Sequence, residues 1–216
     1  PTDTSNPEYF HKVVDCQYAC PAHTPVPEYI RLIAQERYDD AYLLNWESNV
    51  FPGVLGRTCD RPCEPACRRG RVEEEPVAIC RLKRVAADNK ADITNRLPKA
   101  GKPNGKKIAL IGGGPSSLTV ARDLAPLGYE LHLYDAQAKG GGFMRSEIPS
   151  FRLPETVLDE EVGYVLDLGI KALFDTYIDS MAGILAKKYD AVYVGSGAPR
   201  GRGLPDLPGR EEGAAN

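Results

Sequence analysis

Six cysteines, Cys16, Cys20, Cys59, Cys63, Cys67 and Cys80, carry the first chemistry that can be read from this chain. Their spacings are Cys-x3-Cys, then Cys-x3-Cys-x3-Cys, then one outlier. Cysteines four apart lie on one helix face or around one tight loop, so their sulfurs can converge on a single point. Ligation of a metal or an iron–sulfur cluster is the sharper reading of that pattern. Buried free thiols or disulfides are the plain alternative. The last cysteine is at position 80 of 216. A disulfide scaffold instead spreads its cysteines and belongs to small secreted domains.

The second chemistry lies in Ile108-Ala-Leu-Ile-Gly112-Gly113-Gly114-Pro115-Ser116-Ser117, a G-x-G-x-x-G/A pattern with serine in the third place. Gly112 allows a tight strand-to-helix turn, and Gly114 lets a pyrophosphate approach the backbone. A small residue at Ser117 lets the helix pack on the strand. The helix that Pro115 and Ser116 open then presents free N–H groups to the phosphates. Asp135 follows Gly112 by 23 residues, at the end of a second apolar run, where a carboxylate can accept ribose hydroxyls. The alternative is a glycine-rich turn that binds nothing. Two more clusters, Gly140-Gly141-Gly142 and Gly195-Ser196-Gly197, favour FAD when taken with the first.

These residues need elements to position them. Residues 1–15 read as an extended lead-in. Residues 27–44 read as helical, with Asp39-Asp40 as the start of a second short helix. Residues 49–71, rich in Gly, Pro, Cys and Arg, read as loop, and 77–88 as helix. The polar, basic stretch Lys99–Lys107 is the best domain boundary, giving domains at 1–100 and 101–216. Beyond it the expected order is strand 108–111, helix 116–127, strand 129–134, helix 156–168 and strand 191–194, which predicts a parallel α/β sheet.

Composition sets the outer limits. Apolar residues make up 42% and charged residues 26%, as in an ordinary globular chain, which argues against disorder. A net charge of −3 argues against a dedicated nucleic-acid binder. No run of 18 apolar residues exists, so no membrane insertion is expected. No charged-then-apolar leader opens the sequence, and a cytoplasmic protein is expected. Arg57, Arg61, Arg68, Arg69 and Arg71 crowd the cysteine loop, against Asp60 and Glu64. They suit either stabilisation of an anionic cluster or a solvated or docking surface.

Taken together, the chain resembles the glutamate synthase small (beta) subunit and its relatives, which include the N-terminal part of dihydropyrimidine dehydrogenase. The stretches that carry the resemblance are Cys16-Gln-Tyr-Ala-Cys20-Pro21, residues 49–57, Cys59-Asp-Arg-Pro-Cys63-Glu-Pro-Ala-Cys67, residues 76–79, Ile111-Gly-Gly-Gly-Pro, Gly141-Gly142-Phe143, residues 148–154, residues 190–198 and Pro208-Gly209-Arg210. The resemblance implies an α-helical iron–sulfur domain followed by the first, incomplete part of an α/β Rossmann-like FAD-binding domain. It implies an NAD(P)H domain beyond this sequence, either missing from it or supplied by another chain. Cys20, Cys59, Cys63 and Cys80 would match one 4Fe-4S cluster of the family. Cys16 and Cys67 would match a second, left incomplete because two further family cysteines are replaced by Glu8 and His11. Six cysteines allow at most one all-cysteine cluster. Glu147 and Ser117 also depart from the family pattern, and Glu147 bears on how a flavin fits.

The expected function is an electron-transfer flavoprotein subunit. It would move electrons between NAD(P)H, FAD and a 4Fe-4S cluster, toward or from a partner subunit of an oxidoreductase complex. No triad or paired-carboxylate pattern competes, and no side chain is assigned as catalytic. The alternative is a non-catalytic docking subunit with a structural metal site, zinc included.

Overall fold

A computed structural model of the chain describes residues 14–198. The first part is helical. Helix α1 is Asp15–Ala19, α2 is Val26–Ala34, α3 is Tyr38–Ser48, α4 is Pro52–Thr58 and α5 is Ile79–Asn89. The second part alternates strand and helix: β1 Lys107–Ile111, α6 Pro115–Leu124, β2 Glu130–Tyr134, α7 Phe143–Ser146, α8 Glu155–Leu166, β3 Lys171–Leu173, α9 Met181–Leu185 and β4 Ala191–Val194. The four strands form one parallel sheet in the order β3-β2-β1-β4. β1 lies inside it and buries four of its five residues. The chain order reverses between β2 and β4 across β1. A ligand crevice is expected at the carboxyl ends of the strands at such a switch point.

The helical part differs from the sequence expectation in two places. The stretch 27–44 is not one helix. Glu36 takes a left-handed φ of 59° between α2 and α3 and turns the chain. Asp39 and Asp40 then fall in the first turn of α3, where carboxylates suit the positive helix end, and Arg37 reaches back to Asp40 at 2.7 Å. The stretch 49–71 is not all loop, because α4 and a 3-10 turn at Arg68–Arg71 lie within it. Its prolines and glycines read as breakers, yet Pro52 sits in the first helical turn, where its missing N–H does no harm. Gly56 is where α4 meets α5: a Cβ there would stand 2.8 Å from the Arg84 Cα. Of the expected lead-in, residues 1–13 lie outside the described residues.

In the second part, α7, β3 and α9 add to the expected elements. β3 is three residues long and α7 four, too short for a periodic signal. The two parts share one apolar core. Val50, Phe51 and Val54 pack with Leu110, Leu118, Leu158 and Val162. Tyr42, Trp46, Ile93 and Leu97 pack with Tyr164 of α8.

The segment after residue 100 docks on the turn between α6 and β2. Gly101 N–H donates to the Ala125 carbonyl at 2.9 Å, and Asn104 N–H to the Gly128 carbonyl at 3.0 Å. Gly128 holds φ 83°, and a Cβ on it would overlap the Lys102 carbonyl. Gly128→Ala is therefore expected to destabilise the protein by about 3 kcal/mol, a left-handed penalty plus a backbone clash. Chemical denaturation checks this, and a loss near zero would mean that the turn yields freely.

Candidate functional site

The cysteines come together from four places. Cys16 lies in α1, Cys20 caps its end, Cys59 and Cys63 follow α4, and Cys80 sits in the first turn of α5. All six are free; Cys16, Cys63 and Cys80 are buried and the others partly so. They fall into two groups by the charges that they feel. Cys59 feels Cys80, and Cys63 feels Cys59 and Cys20. Cys16 feels Cys67. Tyr29, fully buried, lies within range of both groups and donates its hydroxyl to the Ile79 carbonyl at 3.1 Å.

In the larger group a hydrogen bond from Cys80 pulls Cys59 down to about 5, and Arg61 N–H also donates to the Cys59 sulfur at 3.3 Å. The Cys80 thiol is raised in turn by that pairing, and it also contacts the Leu55 carbonyl at 3.2 Å. Burial pushes Cys63 up to about 11. Lowered Cys59 beside raised Cys63 and Cys80 shows that charge on one of these thiols opposes charge on the next, and a cationic centre that joins them would relieve this, which is the donor chemistry of a thiolate-ligated cluster. Among the described residues no three His, Cys, Asp or Glu side chains close around a single metal ion. Cys16 and Cys67 form only a pair, and Glu8 and His11 lie outside the described residues.

The charges around the cysteines are not those that the arginine count suggests. Arg68 and Arg71 pair with Asp15, Arg69 with Glu73 and Arg61 with Glu64, all at the surface. Arg57 is buried but donates to Asp88 and to the Gly53 carbonyl. The cation that faces Cys59, Cys63 and Cys80 is Lys83, which is 5% exposed. Its spacing of three from Cys80 on α5 is the signal that could have found it.

The glycine loops converge at the carboxyl ends of β1 and β4. Gly112 has φ 93°, and a Cβ on it would stand 2.5 Å from the Gly195 carbonyl oxygen. A Cβ on Gly142 would stand 2.8 Å from the Gly114 Cα, and Gly141 N–H donates to the Gly113 carbonyl at 2.8 Å. Over Gly114 itself a Cβ meets nothing within 4 Å, and Gly197, with φ 69°, is equally open. Gly114 caps α6, whose first turn holds Pro115 and Ser116. This is an open backbone cradle at a ten-residue helix N-terminus, and it fits a pyrophosphate. Asp135 reaches it from the end of β2: one carboxylate oxygen accepts from Gly113 N–H and the other from Gln137 N–H at 2.7 Å. Ser116 shares a hydrogen bond with Tyr193. Ser117 is fully buried against Gly195, its hydroxyl without a partner. Glu147 is exposed at the end of α7.

One buried carboxylate went unnoticed in the sequence. Glu161 of α8 is 1% exposed. It accepts from Gly53 N–H at 2.6 Å, Val54 N–H at 2.9 Å and the Tyr42 hydroxyl at 2.7 Å. Burial pushes it up to about 7 against the pull of these three donors. The available signal was an acidic residue inside the apolar stripe of Leu158, Val162 and Val165.

Comparison with known proteins agrees with this geometry. Residues 10–94 match the family described as dihydropyrimidine dehydrogenase domain II, 4Fe-4S cluster, and residues 110–186 match the NAD(P)-binding Rossmann-like domain. The NADPH-Fe(3+) oxidoreductase subunit beta of Geobacter sulfurreducens is 33% identical, over 98% of this chain and 33% of its own length. The NAD-dependent dihydropyrimidine dehydrogenase subunit PreT of Salmonella typhimurium is 32% identical, over 88% of this chain and 47% of its own. The glutamate synthase [NADPH] small chain of Mycobacterium tuberculosis is 31% identical, over 91% and 40%. This chain thus spans between a third and a half of the length of these relatives. Among the described residues no helix is long and apolar enough to cross a membrane.

Proposed function

This chain is homologous, over nearly all of its length, to the oxidoreductase subunits represented by the NADPH-Fe(3+) oxidoreductase beta subunit, PreT and the glutamate synthase small chain, and from that premise we propose that it moves electrons between a flavin nucleotide and a 4Fe-4S cluster within an oxidoreductase complex. The boundary between its two units falls near residue 100. Cys20, Cys59, Cys63 and Cys80 hold the cluster, while Cys16 and Cys67 contribute to a second site. Gly112, Gly114, Pro115, Ser116 and Ser117 form the pyrophosphate turn, Asp135 takes the ribose, and Gly141, Gly142 and Gly197 line the approach of the flavin. Bound FAD would exchange a hydride with NAD(P)H, through a domain outside this sequence, and single electrons with the cluster. The chain's own residues hold, orient and shield these groups; none is assigned a proton-transfer role. The protein works in the cytoplasm beside other subunits, and its electron acceptor or donor is a partner protein.

The observation that supports this reading best is that the thiols of Cys20, Cys59, Cys63 and Cys80 stand within electrostatic reach of one another, while three glycine loops converge at the carboxyl ends of β1 and β4. Anaerobic purification of the complete polypeptide, with iron, sulfide and flavin analysis, tests it. Stoichiometric iron, acid-labile sulfide and FAD are the expected result. A colourless zinc protein without flavin would overturn the proposal in favour of a structural metal site.

A further inference from the structure

Helix α4 runs from the shared core to the cysteine site, and its own sequence does not hold it in place. It has seven residues, no capping side chain at Phe51 and no acidic residue in its first turn. An isolated helix of that length is unstable in water. Its N-terminal half is set in the shared core through Val54, but apolar burial is non-directional and fixes neither the axial position nor the rotation of a helix. Directional contacts hold the later part of α4 from α5, through the Arg57–Asp88 pair and the Cys80 thiol, whereas at its N-terminal end they come from Glu161 across the core. Its two oxygens take the N–H groups of Gly53 and Val54, and the Tyr42 hydroxyl of α3 completes the set. A Cβ on Gly53 would stand 3.0 Å from Glu161 Oε1, so glycine is what lets the carboxylate close on the backbone.

The far end of α4 leads into the cysteine site. Cys59 caps it, its N–H bonded to the Leu55 carbonyl at 3.1 Å, and the Cys80 thiol lies against the Leu55 and Gly56 carbonyls. About 9 Å of helix thus separates Gly53, where the carboxylate grips, from Cys59. We infer that Glu161, a residue of the nucleotide-binding unit, is a positioning residue that sets the N-terminal end of α4 and thereby places Cys59 and the Leu55 and Gly56 carbonyls against which the Cys80 thiol lies. The inference deepens the iron–sulfur reading and rests on it for the consequence at the cluster, though the grip on α4 can be measured without iron.

Hydrogen exchange on the full chain, as wild type, Glu161→Gln and Tyr42→Phe, is the test. Glutamine offers one acceptor where the carboxylate offers two, so one of the Gly53 and Val54 N–H groups is left facing a donor. The expected result is a loss of protection of at least tenfold that spreads from Gly53 through the Cys59 amide, with β1 unchanged. Tyr42→Phe, which keeps both backbone bonds, gives a smaller loss over the same residues. Should Glu161→Gln fail to fold, the phenylalanine variant carries the test. Loss confined to Gly53 and Val54, or no loss, would reduce Glu161 to a local cap and overturn the inference. After anaerobic reconstitution, an altered electron paramagnetic resonance signature of the reduced cluster in Glu161→Gln supports it, and an unaltered one overturns it. Wild type that takes up no iron counts against the iron–sulfur reading and leaves the exchange result to decide on Glu161.

Discussion

Cys59→Ser abolishes most iron and sulfide uptake and lowers unfolding stability by more than about 4 kcal/mol: that is the result expected if the four-thiol group holds a cluster, because binding of such a centre is coupled to folding. Serine removes the sulfur whose proton affinity is already lowered by Cys80 and by the Arg61 N–H. It also leaves Cys80 without its thiol partner beside the buried Lys83. Cys63→Ser should behave alike. Cys67→Ser should keep the iron of this group, since Cys67 faces Cys16 instead. Metal analysis and denaturation of anaerobically prepared protein read the outcome. Full iron content in both the Cys59 and the Cys63 variants would refute the assignment.

Gly114→Val is expected to eliminate dinucleotide binding and to leave the fold nearly intact. The glycine takes an extended conformation, φ −78° and ψ 178°, which valine adopts readily, and its missing Cβ faces open space. The added Cβ therefore enters the open volume over the helix N-terminus and meets no protein atom within 4 Å. The measurement is flavin content, or flavin titration of the stripped protein, beside a thermal unfolding curve. Affinity should fall at least a hundredfold, equivalent to about 2.7 kcal/mol, with little change in unfolding temperature. Retained FAD would place the nucleotide elsewhere. Gly112 is a poorer probe, since its φ of 93° and its contact with Gly195 confound binding with folding.

The α/β half was largely open to sequence reasoning. β1, α6 and β2 follow one another with strong periodicity, and the glycine turn between β1 and α6 has a stereochemical requirement that only a few residues meet. The grouping of the cysteines came through a resemblance; in the structure Cys59 lies within electrostatic reach of Cys80, Cys63 of Cys59 and Cys20, and Cys16 of Cys67. Three things were hidden for physical reasons. α4 was masked because Pro52, Gly53 and Gly56 are breakers by propensity; Pro52 suits the first turn, but Gly53 and Gly56 are explained only by partners distant in sequence, Glu161 and Arg84. Glu161 and Lys83 were invisible because a charged residue on a helix reads as solvent-facing until its neighbours are known. The arginine cluster misled in the opposite sense, since carboxylates as near as Glu64 and as far as Asp15 take up most of its charge locally.

The shared core has a consequence for anyone who treats the front unit as a transplantable cassette. Val50, Phe51 and Val54 complete the hydrophobic layer of the sheet, and Tyr42 and Trp46 complete that of α8. Severing the chain in the basic stretch near residue 100 would strip both halves of their lining and leave two sticky faces in water. Moving the cysteine-bearing unit onto another protein would therefore require carrying β1, α6 and α8 along with it, and the minimal movable module is the whole described body.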